Sequence, residues 1–219
     1  MLLDRDRAFL FPRAAENVAW FGEVPAAPEE LAEQLGRAIA CWHALEPPPA
    51  IAGVRPPRHL DAAHHHWLRR ALDPRSSAEA AAEAAARLGQ PGRASAWAEL
   101  LASAAQLPPV LVHGDIHEDQ LLAEGDRLTG VLDWETARVD HPFWDFDLGE
   151  WGTGLWRRRR RYFGVLWARC WQAYAEIRGL DRDSRPLETA FRLRHALWLL
   201  ADPGDPAVVG TVGEQLAQL

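Results

Sequence analysis

Apolar positions follow a helical spacing over most of this chain and switch to an extended pattern once, near its middle. From Pro28, which suits a first helical turn with Glu29 and Glu30 behind it, Leu31, Leu35, Ala38, Ile39 and Trp42 recur three and four residues apart. This predicts an amphipathic helix that stops before Pro47-Pro48-Pro49. A Pro-rich connector over 47–57 leads to a predicted helix over 59–72 and an Ala-rich one over 76–88, ended by Gly89, Pro91 and Gly92. The next, over 94–106, turns Trp97, Leu100 and Leu101 inward and ends at Pro108-Pro109. Then Val110-Leu111-Val112 reads as a strand, Gln120-Leu121-Leu122 as a second and Leu128 to Leu132 as a third, with Gly125-Asp126 turning between the last two. Helical spacing returns after Trp144, over 155–178, over 185–200 and from 205 onward; residues 8–24 supply at most one strand and a helical turn. The expected fold is α+β, mainly helical, with a small β hairpin in its middle.

Charge narrows the partners. The 24 basic residues against 31 acidic ones leave a net charge of -7, which argues against non-specific nucleic-acid binding and suits a cationic ligand. Cys41 and Cys170 each sit in a helical stretch without metal-ligand spacing, so both are expected to be small core residues in a reducing compartment. Charged residues at Asp4, Arg5, Asp6 and Arg7 occupy the place of a signal peptide's apolar region, and no 18-residue stretch is free of charge, so a cytoplasmic protein with no membrane span is expected. Every basic residue is arginine; the chain has no lysine.

Chemistry concentrates where the spacing changes. Phosphoryl transfer to an alcohol needs a carboxylate near the acceptor hydroxyl, an amide-type oxygen on a metal ion, and a second carboxylate on the metal. In kinases the first two lie five residues apart in a loop, and the third follows on the next hairpin. Here His113-Gly114-Asp115 follows a strand, Gln120 lies five residues beyond Asp115, and Asp133-Trp134-Glu135 follows the strand Leu128 to Leu132.

The run from Val112 to His117 with Leu121-Leu122, then Gly130 to Glu135, then His141-Pro142-Phe143-Trp144-Asp145, resembles the aminoglycoside phosphotransferase and choline kinase-like family. Cys41-Trp42-His43-Ala44-Leu45 resembles that family's Leu-His-x-Leu segment. The resemblance implies a protein-kinase-like C-terminal lobe, ATP as phosphoryl donor, Mg2+, and a small-molecule hydroxyl as acceptor. It makes Asp115 the base that accepts the hydroxyl proton, Asp133 the principal magnesium ligand and Asp145 a residue that accepts hydrogen bonds from the catalytic loop. His113 would orient that loop. Gln120 stands where the family has Asn, so its amide oxygen sits one methylene further out.

The same resemblance divides the chain at Pro28, with residues 1–27 a remnant of the nucleotide-binding lobe and 28–219 the C-terminal lobe. Phe9-Leu10-Phe11-Pro12-Arg13 resembles the strand that carries the family's basic residue, with Leu10 in its place and Arg13 the nearest replacement. Three readings stay open: an altered phosphotransferase, a non-catalytic pseudokinase-type binding protein, or a half completed by self-association or a second chain. Other clusters read as surface or packing. Consecutive His64-His65-His66 cannot all face one zinc ion from a helix that also carries Asp61 and His59. Arg157 to Arg161 spread around a helix, and His117 reads as loop packing. Asp147, Glu150, Glu176, Asp181 and Asp183 are candidates for lining a cationic acceptor site.

Overall fold

The computed structural model describes residues 16–17, 28–47, 51, 69–116, 120–146, 168–191 and 193. Helix α1 runs Pro28–His43 and opens with Glu29 and Glu30 in its first turn, where acidic side chains favour the helix N-terminus. Residues 69–72 are helical. They are followed by α2 (Ser77–Arg87) and α3 (Ala94–Ala104), which pack against each other. Further helical stretches cover 168–178, called α4, and 185–191. The predicted helix over 59–72 is thus described only at its end, and the terminal helix from 205 lies outside the described residues.

Five short strands make two small sheets. In the first, β1 (Glu16–Asn17), β3 (Leu121–Glu124) and β4 (Arg127–Val131) are antiparallel in the order β1-β3-β4; in the second, β2 (Val110–Val112) pairs with β5 (Arg138–Asp140). The hairpin β3–β4 turns at Gly125-Asp126, as the spacing predicts. β5 has no apolar alternation to mark it: it reads Arg-Val-Asp, and pairing with β2 rather than its own pattern makes it a strand. The N-terminal strand lies at Glu16–Asn17, while the apolar run Phe9 to Phe11 falls outside the described residues.

The predicted apolar face of α1 is the one that buries: Leu31, Leu35, Ile39 and Trp42 join a core with Trp97, Leu101, Phe143 and Tyr174. Cys170 lies in that core, but Cys41 is exposed, contrary to the expectation for both cysteines. The reason is register, since Cys41 follows Ala40 and precedes Trp42 on a helix whose buried stripe passes through those two neighbours. Among the described residues no helix is long and apolar enough to cross a membrane.

Helix α1 also sets where the hairpin and α4 stand. The Gln34 side chain donates from Nε2 to the Asp126 carbonyl (2.7 Å) and accepts the Leu128 N–H at Oε1 (2.9 Å), standing in for a neighbouring strand at the hairpin turn. Two residues on, Gly36 abuts the backbone of Cys170, where any β-carbon would collide with the Cys170 carbonyl. Gly36→Ala therefore forces α1 and α4 apart. Overpacking of about 3 kcal/mol, offset by about 1 kcal/mol of helix propensity, predicts a net loss near 2 kcal/mol. Thermal denaturation should show the midpoint falling by roughly 4–8 °C.

Candidate functional site

β2 ends at Val112 and the chain turns through His113-Gly114-Asp115. Gly114 has φ +84°, and a β-carbon there would strike the Arg138 guanidinium, so conformation and space both demand glycine. This loop rests on Asp145. The Asp145 side chain is fully buried, and its Oδ1 accepts the Gly114 N–H (2.7 Å). Its Oδ2 accepts the His113 N–H (3.0 Å), Trp42 Nε1–H (2.6 Å) and His43 Nε2–H (2.9 Å). Burial opposes the charge on Asp145, yet the His43 and Gly114 hydrogen bonds and the neighbouring His113 ring outweigh it and hold the carboxyl below the usual carboxylate range. A single carboxylate thus ties α1 to the loop that carries Asp115.

His113 joins the loop to the segment after the hairpin. Its Nε2–H donates to the Leu132 carbonyl (2.7 Å), its ring lies edge-on to Trp134 at 4.7 Å between centroids, and its own carbonyl accepts the Thr136 hydroxyl (2.6 Å). Between those two anchors stands Asp133, with φ 61° and ψ 64°. It is the one non-glycine residue with positive φ among the described residues, a conformation of the kind that recurs where backbone strain serves a site. By position it caps the turn Trp134–Thr136, yet its side chain makes no capping bond and is exposed.

Gln120 enters at the same open end of the hairpin, just before β3. Its carbonyl accepts the Leu132 N–H (2.8 Å), which brings Gln120 beside the residue preceding Asp133. The Gln120 side chain is buried, with Nε2 3.5 Å from Asp115 Oδ2 and with Oε1 lacking any partner among the described residues. Asp115 is half-buried. A buried acceptor with no donor is costly unless it serves a ligand, and an amide oxygen with the Asp133 carboxylate supplies oxygen donors of the kind magnesium takes. Among the described residues no three His, Cys, Asp or Glu side chains converge as a metal cluster. The site therefore fits an ion held by few protein oxygens and completed by phosphate and water rather than a zinc cage.

Arg138 is the buried floor of this site, unremarked by any sequence pattern. Its guanidinium lies 5.1 Å from the Trp144 ring centroid, donates from Nε to Asp140 (2.9 Å) and from Nη1 to the Thr136 carbonyl (3.2 Å), and fills the space beside Gly114. Trp42, His43 and Thr136 likewise hold the loop, and only His43 had a signal, within the Leu-His-x-Leu resemblance. His117, His59, Asp61, the histidine triplet, Arg157 to Arg161, Asp147 and Glu150 lie outside the described residues. Of the remaining acidic candidates, Glu176 pairs with Arg182 and Asp183 with Arg185, so both are already matched by surface arginines.

With this geometry stands the family. A sequence model of the phosphotransferase enzyme family, the aminoglycoside phosphotransferase type, matches residues 5–182, and the chain belongs to that family. The match opens ahead of Pro28 and so includes part of the segment expected to be a lobe remnant. An uncharacterized protein of Bacillus subtilis strain 168, YcbJ, is 32% identical over 83 residues, which are 36% of this chain and 27% of that protein. The macrolide 2'-phosphotransferase MphH of Brachybacterium faecium is 25% identical over 87% of this chain and 62% of its own, with a TM-score of 0.45. A spectinomycin phosphotransferase solved with ADP and spectinomycin is 16% identical over 94% of this chain and 69% of its own, at a TM-score of 0.40. The chain thus spans well under two thirds of YcbJ and slightly under two thirds of MphH.

His141 gives the site's surroundings a pH signature. Its Nε2–H donates to the Ala104 carbonyl (2.9 Å) and its Nδ1 accepts the Phe143 N–H (3.1 Å), so the bonded ring is neutral. Burial drives it from 6.5 down to about 4, against the opposing pull of the Ala104 carbonyl and the Asp140 carboxylate. The unfolded chain binds the proton first, so the stability this group contributes is complete above pH 6.5 and lost as pH falls toward 4, by about 3 kcal/mol in all. Melting temperatures measured from pH 7 to pH 4 should fall steadily, and His141→Gln should flatten that slope.

Proposed function

We propose that the chain is an ATP- and magnesium-dependent phosphotransferase that transfers a phosphoryl group to a hydroxyl of a small molecule. The observation that carries this reading is the buried, unpartnered Oε1 of a Gln120 whose Nε2 lies beside the Asp115 carboxylate and whose backbone pairs with Leu132, the residue before Asp133. Family membership supplies the reaction class, and the geometry supplies a role for each side chain.

Asp115 is the base. Its carboxylate lies on a loop whose backbone is fixed by Asp145 and His113, so it is positioned before substrate arrives. The acceptor oxygen bonds to the terminal phosphorus of ATP as its proton passes to Asp115, and the bond to the ADP oxygen breaks with its electron pair staying on ADP. Gln120 Oε1 and the Asp133 carboxylate would hold magnesium, which supplies charge neutralisation on the phosphates when bound. The extra methylene of Gln120 relative to Asn carries its amide one bond further out, with Nε2 facing the Asp115 carboxylate and Oε1 left for the ion. Residues 28–219 act as the C-terminal lobe, and 1–27 contribute to the nucleotide side. The two free cysteines suit a reducing, cytoplasmic setting.

Thermal denaturation with and without millimolar Mg·ATP tests the binding half of this reading. The expected result is a magnesium-dependent rise in melting temperature that Asp133→Ala abolishes. Asp115→Asn should keep that rise while lowering phosphoryl transfer by roughly 10²–10⁴. A rise with no transfer to any hydroxyl acceptor would instead mark a non-catalytic nucleotide-binding protein, and no rise at all would remove the proposal.

A further inference from the structure

Behind the site runs a chain of polar contacts that the reaction itself does not use. Tyr174, on α4, is buried in the aromatic core with its ring 5.1 Å from Phe146 and 5.3 Å from Trp171 between centroids. Its hydroxyl lies 3.0 Å from His43 Nδ1, and His43 Nε2 lies 2.9 Å from Asp145 Oδ2. The side chains of His43 and Asp145 are both wholly out of water. One helical turn further along α4 stands Arg178, whose positive charge favours the ionised form of the Tyr174 hydroxyl.

Those contacts fix the direction of every proton. The ionised Asp145 carboxylate only accepts, so it takes a hydrogen bond from His43 Nε2–H, and Nδ1 is left as the acceptor for the Tyr174 O–H. With Nδ1 accepting, the His43 proton must sit on Nε2, where it donates to Asp145. The opposite tautomer would set a bare Nε2 lone pair against the Asp145 carboxylate and a second donor against the Tyr174 hydroxyl. Burial also raises the Tyr174 hydroxyl to about 12, with the Arg178 contacts opposing and Asp145 adding to the rise, so it stays a donor throughout the working range.

We propose that Tyr174 is a positioning residue for the catalytic loop, locking His43 as its Nε2–H tautomer so that Asp145 keeps all four donors and holds His113-Gly114-Asp115 in place. The proposal rests on the reading of Asp115 as the base, but its first consequence, the His43 tautomer, does not depend on any activity. No sequence pattern singles out Tyr174. It lies 131 residues from His43 and 29 from Asp145 in the chain, and its helix meets α1 through the close Gly36–Cys170 approach.

The test uses the full chain and two measurements. Nitrogen-15 NMR of the histidine rings, with His43 assigned through His43→Gln, should show His43 in wild type as the Nε2–H tautomer. Tyr174→Phe removes only the hydroxyl and keeps the ring packing. It should mix the two tautomers or convert His43 to Nδ1–H. Phosphate release from Mg·ATP, with no added acceptor, should then show kcat falling about tenfold, the net value of one hydrogen bond, with KM for Mg·ATP within twofold. An Nδ1–H or doubly protonated His43 in wild type overturns the proposal, even if the variant does not fold. So does a Tyr174→Phe protein whose His43 tautomer and kcat match wild type. If wild type releases no phosphate, the functional reading of the site fails, and the tautomer measurement alone decides the role of Tyr174.

Discussion

Four N–H groups from two separate parts of the chain end on one carboxylate, that of Asp145. In a fully buried position an ionised carboxyl is tolerable only when its oxygens are saturated with donors, and here they are. Because two of the donors are consecutive backbone amides, at His113 and Gly114, the carboxylate dictates the path of the loop as well as its place. The other two, from Trp42 and His43, fasten that loop to the end of α1. Removing the charge would leave several buried donors unsatisfied at once, a larger loss than any single hydrogen bond represents.

Helix α1 is consequently the reference frame for the whole site. Near its middle Gln34 clamps the hairpin turn, and two residues later Gly36 admits α4 to contact distance. At its end Trp42 and His43 reach Asp145. The two small sheets contribute reach more than stability. The β2–β5 pairing sets Val112 opposite Arg138, which places the Asp115 loop next to the segment Asp133 to Thr136, and the β3–β4 hairpin brings Gln120 and Leu132 together at its foot. The side chains proposed to carry the chemistry, Asp115, Gln120 and Asp133, all lie just beyond the ends of these strands, where rigid elements position the residues that meet a ligand.

Such an arrangement separates holding from reacting. Asp145 and His113 spend their polar atoms on the protein, while the Asp133 side chain makes no cap and Gln120 Oε1 makes no bond among the described residues. Satisfied groups fix geometry, and unsatisfied ones await a partner. Membership of the phosphotransferase enzyme family is what lends the proposed partner, nucleotide phosphate with a divalent ion, its chemical class. Two of the acidic residues that could have favoured a cationic acceptor are already occupied by Arg182 and Arg185.

Local pattern by itself determined the helices over Pro28–His43, Ser77–Arg87 and Ala94–Ala104, the hairpin turn at Gly125-Asp126, and the spacing of Asp115, Gln120 and Asp133. Helical period, turn chemistry and motif spacing are all short-range properties, and a chain displays them before it folds. Only tertiary structure decided that Arg-Val-Asp at 138–140 is a strand, that Cys41 faces solvent, that Arg138 fills the space beside Gly114, and that Gln34, His43 and Tyr174 belong to the site's support. Each of those depends on a partner between about 24 and 131 residues away in the chain or on the rotation of a helix within the core, and no local sequence signal records which residue will be opposite.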